Sequence, residues 1–141
     1  MKQPHIFLYI LGYNFDSFID VEIIAGIEHL SGCFTNKKLT RDKLIHFQRS
    51  NTPVSVLPLR NAFGTPAYAV SPSGAEYLPK HVFPLRNVPV PLPYERRTMQ
   101  TFTMDGLMNR LYGKMKAFVC LPPLVVSPNK KNPRAKVVRI D

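Results

Sequence analysis

The residues best suited to chemistry in this 141-residue chain are a few carboxylates and a set of arginines. Asp20 and Glu22 stand two residues apart in an apolar, β-branched segment, so both would lie on one side of a strand. Two hard oxygen ligands there could hold Mg²⁺ or Mn²⁺. The same alternation also fits two carboxylates that face solvent on a half-buried strand.

Planar guanidinium groups match the oxygens of phosphate or diphosphate, although each arginine also fits a solvated surface role. The candidates are Arg60, Arg96, Arg97 and Arg110.

The charge balance indicates an acidic partner. There are 19 Lys and Arg against 9 Asp and Glu, a net charge of +10. A nucleotide, a phosphorylated glycan, an anionic membrane surface and nucleic acid all fit that sign. Nucleic acid is disfavoured, because the cations are spread through loops and tail and no aromatic-interleaved RNA motif occurs.

Size and hydropathy predict one domain without a membrane span. A chain of this length is one domain by the usual size rule. No small-residue cleavage site follows the apolar run at residues 6–11, so a buried strand is favoured over a signal peptide. No run approaches the roughly twenty apolar residues of a span. We therefore expect a cytoplasmic protein, either free or peripheral to the inner membrane.

The two cysteines predict buried, reduced thiols. Cys33 and Cys120 are far apart and in no metal-ligand spacing. The four histidines are scattered without ligand spacing and are assigned no role.

The elements that must position these side chains begin with strands. Residues 6–11 and 18–24 are predicted strands that could pair as neighbours across a turn at 12–14. A short helix is predicted at 39–48, with Thr40 as a candidate N-cap, and another strand at 54–59.

Prolines govern the middle of the chain from residue 53 to residue 93, because they exclude a long helix and limit central strands. Ser71 and Pro72 favour a helix start, and Pro79 is predicted to end that helix after about two turns. Residues 84–93 are predicted to cross in a polyproline-like conformation, with a peptide ligand for a proline-reading domain as the alternative.

A third helix is predicted at 104–112, with Thr103 as N-cap and Gly113 after its end. Residues 117–121 form the next predicted strand, and 124–126 a short edge. We predict a single α/β domain over 1–126 and a basic, flexible tail over 127–141. The helix carries one apolar stripe, formed by Met104, Leu107, Met108, Leu111 and Tyr112.

Residues 64–75 and 104–112, with the Pro-Pro-Leu-Val run at 122–125, carry a family resemblance. Their order is similar to the carboxyl-terminal half of glycosyltransferase family 25, which includes bacterial lipooligosaccharide and collagen galactosyltransferases. The likeness covers roughly residues 54–126. The matching residues are Gly64, Ala67, Tyr68, Ser71, Gly74 and Ala75, then Asp105, Leu107, Asn109, Arg110, Leu111 and Tyr112, then Pro122, Pro123, Leu124 and Val125.

The resemblance implies a partial Rossmann-like, GT-A-like α/β fold with short strands, two or three short helices and a proline-rich crossing. It implies transfer of a sugar, galactose in the first instance, from a uridine diphosphate sugar to lipopolysaccharide or another glycan. The acidic cluster that family members use for Mn²⁺ or Mg²⁺ is not evident in this chain. A truncated, inactive transferase and a small basic nucleic-acid-binding protein are therefore kept as alternatives.

The resemblance also implies roles for particular residues. Asp105 is the candidate catalytic residue, acting on an acceptor hydroxyl or on a metal, although an aspartate there also stabilises a helix start. Tyr68 is a candidate for stacking on a sugar or, alternatively, for packing on the sheet. The remaining candidates for substrate binding are Ser71, Arg60 and Arg110.

Overall fold

The computed structural model describes residues 6–12, 17–34, 41–64, 67–92 and 97–125, which form eight strands and three helices. The strands are β1 (Phe7–Gly12), β2 (Ser17–Ile24), β3 (Glu28–Phe34), β4 (Ser55–Ala62), β5 (Ala67–Val70), β6 (Val88–Leu92), β7 (Arg97–Thr101) and β8 (Lys116–Leu121). The helices are α1 (Arg41–Arg49), α2 (Pro72–Val82) and α3 (Met104–Tyr112). The strands predicted at 6–11, 18–24, 54–59 and 117–121 and the three predicted helices are thus observed with shifted boundaries. The predicted edge at 124–126 is not a strand in its described part, where Val125 forms only an isolated bridge to Gly12.

The described strands form a mixed six-stranded sheet in the order β3-β2-β4-β8-β1-β5 and a separate ribbon of β6 and β7. β1 and β8 run parallel, while the other neighbouring pairs in this part of the chain are antiparallel. β4 spans both halves of the sheet, because residues 55–58 pair with β8 and residues 59–62 pair with β2. The protein is therefore of the α/β type, with a mixed sheet.

The expected pairing of the first two strands is wrong. β1 lies between β5 and β8, and β2 lies between β3 and β4, so β1 and β2 are in different halves of the sheet. Both edges of β1 are taken by strands that come from residues 67–70 and 116–121. The predicted turn at 12–14 extends beyond the described residues, as do Thr40, Arg96 and the tail at 127–141.

The proline-rich crossing is a strand in part. Residues 88–92 form β6, which pairs with β7 along five residues. Pro89 and Pro91 are exposed, whereas Val90 and Leu92 between and after them are buried. In a two-stranded ribbon, the backbone N–H groups of alternate residues point away from the partner strand. A proline at such a position therefore removes no hydrogen bond between the strands.

Pro79 does not end α2, contrary to the prediction. The helix continues for three residues to Val82, and Phe83 N–H donates to Pro79 O at 3.1 Å. A proline removes the hydrogen bond of its own nitrogen but leaves its carbonyl as an acceptor. The predicted start is confirmed, with Ser71 as N-cap and Pro72 at the first turn.

One apolar core joins the sheet to α2 and α3. It contains alternate residues of β1, such as Leu8 and Ile10, and the predicted apolar stripe of α3, of which Met104 is only partly buried. α3 begins after Thr103, whose hydroxyl accepts from Gly106 N–H, and Gly113 caps its end. None of the described helices is long and apolar enough to cross a membrane.

Candidate functional site

Asp105 is held at the start of α3 by the backbone that follows β4. Gly64 N–H donates to Asp105 Oδ2 at 2.8 Å. Asp105 also lies in the first turn of the helix, where a negative charge is favourable. One carboxylate oxygen is therefore committed to fixing the chain after β4 against α3.

Asn109 completes the same junction, a role that its place in the sequence motif does not predict. Ala62 N–H donates to Asn109 Oδ1 at 2.9 Å, and Asn109 Nδ2 donates to Ala62 O at 2.8 Å. Nδ2 also donates to Asp105 O at 2.8 Å. A single buried amide thus supplies the donor and the acceptor that a neighbouring strand would supply to Ala62.

Tyr68 and Tyr112 lie near this junction. Tyr112 is buried, and its hydroxyl has no hydrogen-bond partner among the described residues. Burial raises the pKa of Tyr112 well above its ordinary value, and the charges of Asp105 and Tyr68 raise it further. Tyr68, on edge strand β5, is 39% exposed. The structure therefore brings Asp105 and Tyr68 into one region, around the buried and neutral phenol of Tyr112.

Ser71 serves the fold through its hydroxyl. Its Oγ accepts from Gly74 N–H at 3.2 Å and from Phe7 N–H at 3.1 Å, and it lies 3.1 Å from Ser73 Oγ. These bonds cap α2 and tie its start to β1. β5 leads directly into α2, but β5 is antiparallel to β1, so its carboxyl end is not at the carboxyl edge of that strand.

Arg60 forms an ion pair with Glu22, beside a bulge in β4. Arg60 Nη2 lies 2.7 Å from both carboxylate oxygens, and Gly26 N–H donates to Glu22 Oε1 at 2.7 Å. The Arg60 hydrogen bond, the Gly26 N–H and the Arg60 charge lower the pKa of Glu22, while partial burial opposes them. Arg60 is therefore engaged by a carboxylate of the protein itself.

The contacts do not bring Asp20 and Glu22 together as metal ligands, and neither carboxylate faces solvent. Asp20 is fully buried and accepts from Asn61 Nδ2 at 3.1 Å, while Glu22 is 9% exposed. Asp20 Oδ1 lacks a partner among the described residues. The described part of the chain contains no group of three or more His, Cys, Asp or Glu residues that could hold a metal ion.

A cationic cleft lies between the end of α2, the segment that follows it and α3. It measures about 330 Å³, and Val82, Val88 and Leu107 line its apolar part. No carboxylate is among the described residues that line it. Its cations are Lys80, Arg86 and Arg110, which we call the cleft cations, and the imidazole of His81 also lines it.

The His81 ring, which lines this cleft, is held by Tyr77. Its Nδ1 lies 2.8 Å from Tyr77 O, and its ring stacks on the Tyr77 ring with centroids 3.8 Å apart. Because a carbonyl oxygen can only accept, Nδ1 carries the hydrogen. Nε2 is then the nitrogen left for a ligand.

Beyond Asp105 and Tyr68, the predicted site residues do not converge. Arg110 lines the cleft, but Asp105 lies five residues earlier on α3, about 140° around the helix. Arg97, on β7, is not one of the residues that line it. Nothing in the spacing of Lys80, His81 and Arg86 predicts their meeting with Arg110, because the cleft is assembled from segments separated by the β6–β7 ribbon.

Cys120 is buried and unpaired, as predicted for both cysteines. Burial raises the pKa of its thiol, so the reactive thiolate is disfavoured. The side chain of Cys33 lies outside the described part of the structure.

Comparisons with known proteins found no match: no family model, curated protein or solved structure is similar enough to this chain to place it.

Proposed function

We propose that the protein binds a phosphate-bearing ligand in the cationic cleft, and that this ligand is the diphosphate of a nucleotide sugar. The observation that carries the proposal is the convergence of the three cleft cations on one concavity, without a carboxylate among its described lining residues. Cations with no carboxylate beside them among the described lining residues are available to a ligand, and Arg86 and Arg110 can each present two N–H groups to phosphate oxygens.

The size and lining of the cleft fit part of such a ligand. A volume of about 330 Å³ is at the small end of ligand sites, large enough for a diphosphate and part of a sugar. Leu107 and Val88 offer an apolar wall beside the cations. We therefore expect the remainder of a nucleotide to extend across the surface.

Glycosyl transfer is the enzymatic form of this proposal. Its support is Arg110, which belongs to the motif that resembles glycosyltransferase family 25 and also lines the cleft. We propose uridine diphosphate galactose as donor, lipopolysaccharide or another glycan as acceptor, and a Rossmann-like, GT-A-like ancestry for the sheet. Asp105 lies on the side of α3 away from the cleft, so in this proposal it holds the chain after β4 and does not contact the diphosphate.

A divalent metal is not assigned to this site. The described carboxylates that could serve are engaged elsewhere, Glu22 by Arg60 and Asp20 by Asn61. They do not form a group that fits Mn²⁺ or Mg²⁺.

Calorimetric titration of the purified chain with uridine diphosphate, uridine diphosphate galactose and inorganic phosphate tests the proposal. Arg110→Gln removes a charge-assisted contact, which is worth about 1.5–3 kcal/mol, so affinity should fall tenfold or more. Lys114→Gln is the matched control, because Lys114 follows α3 closely and is exposed but does not line the cleft.

Undetectable binding of the nucleotides at millimolar concentration would refute the proposal, as would equal losses in the two variants. Release of uridine diphosphate together with formation of the galactosylated acceptor would establish transfer. Binding without release would leave a nucleotide-binding protein that is catalytically silent.

Nucleic-acid binding is the second candidate, favoured by the net charge of +10. This candidate predicts that the protein binds single- or double-stranded nucleic acid with an affinity that falls steeply as salt is added. Nucleic acid that binds in this way and is not displaced by uridine diphosphate would favour this candidate over the nucleotide sugar.

A further inference from the structure

β3 is an edge strand whose outer side pairs with no other strand in the described part of the chain. It runs for seven residues, Glu28–Phe34, and contains neither proline nor lysine nor arginine. Exposed edges of this kind pair readily with another strand unless something blocks them.

The other described edges are each protected in a recognised way. β5 has four residues, β6 carries Pro89 and Pro91, and β7 begins with Arg97. Short length, proline and positive charge all discourage edge pairing. The absence of these features from β3 is notable in a chain with 14 prolines and 19 Lys and Arg.

Exposed apolar side chains accompany this edge. Leu30 pairs with buried Val21 across β2 and β3, yet it is 57% exposed, and Ile23 and Ile24 near the end of β2 are 47% and 48% exposed. Leu30 thus extends the apolar face of Val21 to the outer strand β3. Such a patch beside an open edge is typical of a protein interface.

We propose that two copies of this chain form a dimer by antiparallel pairing of β3 with β3, about a two-fold axis at Ser31. That register places Ser31 of one copy opposite Ser31 of the other, so all seven residues of the two strands are paired. It extends the two sheets into one, and a two-fold interface of this kind is closed, so it does not propagate into a fibre.

Side-chain packing favours this register. Leu30 comes to lie opposite Gly32 of the second copy, where a Cβ would meet nothing within 4 Å among the described residues. The two Leu30 side chains are then diagonal neighbours, about 7–8 Å apart and within mutual reach. The glycine leaves the room that the leucine fills.

Electrostatics permits the contact despite the net charge of +10. Residues 17–34 contain no Lys or Arg, and of their three carboxylates Asp20 is buried and Glu22 is paired with Arg60. The two Glu28 residues would stand six positions apart along the paired strands, about 20 Å, which exceeds the screening length of about 8 Å at physiological salt. The copies therefore meet along a segment without Lys or Arg.

Sedimentation velocity between 1 and 200 µM protein tests the dimer. The monomer mass is 16.1 kDa, and we expect conversion to twice that mass in the micromolar range, because a seven-residue strand pair lies near the lower limit of about 1,000 Å² for a specific interface. Leu30→Lys should raise the dissociation constant at least tenfold. Ile27→Lys is the control, since Ile27 is more exposed and lies in the turn outside β3. Circular dichroism checks that both variants fold.

A cross-link tests the axis. In a Cys33→Ser background, Ser31→Cys should form an intermolecular disulfide under mild oxidation, because directly opposite residues of antiparallel strands have Cα atoms about 4.5–5.5 Å apart. Ile27→Cys should not. A chain that stays monomeric throughout refutes the dimer, and so does a dimer that both lysine variants weaken equally. If Leu30→Lys weakens the dimer but Ser31→Cys forms no intermolecular disulfide, the axis at Ser31 is refuted.

Discussion

The amide of Asn109 takes the place of a missing strand beside Ala62. Asn109→Ala would leave the N–H and C=O of Ala62 buried without partners, at a cost of about 2–4 kcal/mol of unfolding free energy. Urea denaturation at pH 7 measures it. Asn109→Asp keeps the acceptor but loses the donor, so it should also destabilise. A loss below about 0.5 kcal/mol for the alanine variant, the range of a neutral surface change, would contradict this role.

The ion pair of Glu22 and Arg60 predicts a pH dependence of stability. Because the pKa of Glu22 is lowered from 4.5 in the folded state, its contribution is present above that value and is lost as pH falls through the lower, folded value. Urea midpoints between pH 3 and pH 7 should therefore fall less steeply on acidification in Glu22→Gln than in the parent.

Glu28→Gln is the control for that measurement, because Glu28 is an exposed carboxylate of the adjoining strand β3. Its acid profile should match that of the parent protein. Parallel profiles for the parent and Glu22→Gln would show that the pair with Arg60 does not contribute.

At the scale of elements, the approach of α3 to β7 depends on Gly106. A Cβ at this position would overlap the side chain of Thr101, which is itself buried. Gly106→Ala should therefore lower the unfolding free energy by about 1–3 kcal/mol, as overpacking does. Gly113→Ala should be neutral or stabilise by about 0.4–1 kcal/mol, since Gly113 has helical φ and open space. Thermal and urea unfolding of both variants check the contrast, and equal stabilities would contradict it.

The elements that sequence reasoning predicts well are those specified locally. The starts of α2 and α3 follow from Ser71 and Thr103, whose hydroxyls accept from backbone N–H groups three residues later. The extent of α2 beyond Pro79 and the pairing of β6 could not be predicted. Both depend on whether the N–H that a proline lacks would have been needed for a hydrogen bond at that position. Local residue type does not report that.

The site was predictable only in part, for a related reason. Arg110 was a candidate from its guanidinium group, and the structure places it in the cleft. Asp105 and Ser71 were candidates as well, yet each holds backbone N–H groups of the fold. A polar residue at a helix start serves capping and chemistry equally well in sequence, and contacts across the fold distinguish the two.

At the scale of the whole molecule, charge is unevenly distributed. Residues 17–34 carry no Lys or Arg, whereas the cleft draws its cations from α2, α3 and the segment after α2. The proposed dimer edge and the proposed phosphate site therefore differ in electrostatic character. Ligand affinity should respond strongly to salt, while dimerisation through β3 should respond weakly.

The position of β8 in the sheet has a consequence for synthesis. β8 is the last described strand to be made, yet it lies between β4 and β1 and joins the two halves of the sheet. Until residue 121 has left the ribosome, β1 with β5 and β2 with β3 and β4 can form only as separate pieces with open edges. Long-range pairing of this kind is slow and exposes nascent chains to aggregation. A chain cut short before Lys116 would therefore be a substrate for chaperones and proteases rather than a smaller folded protein.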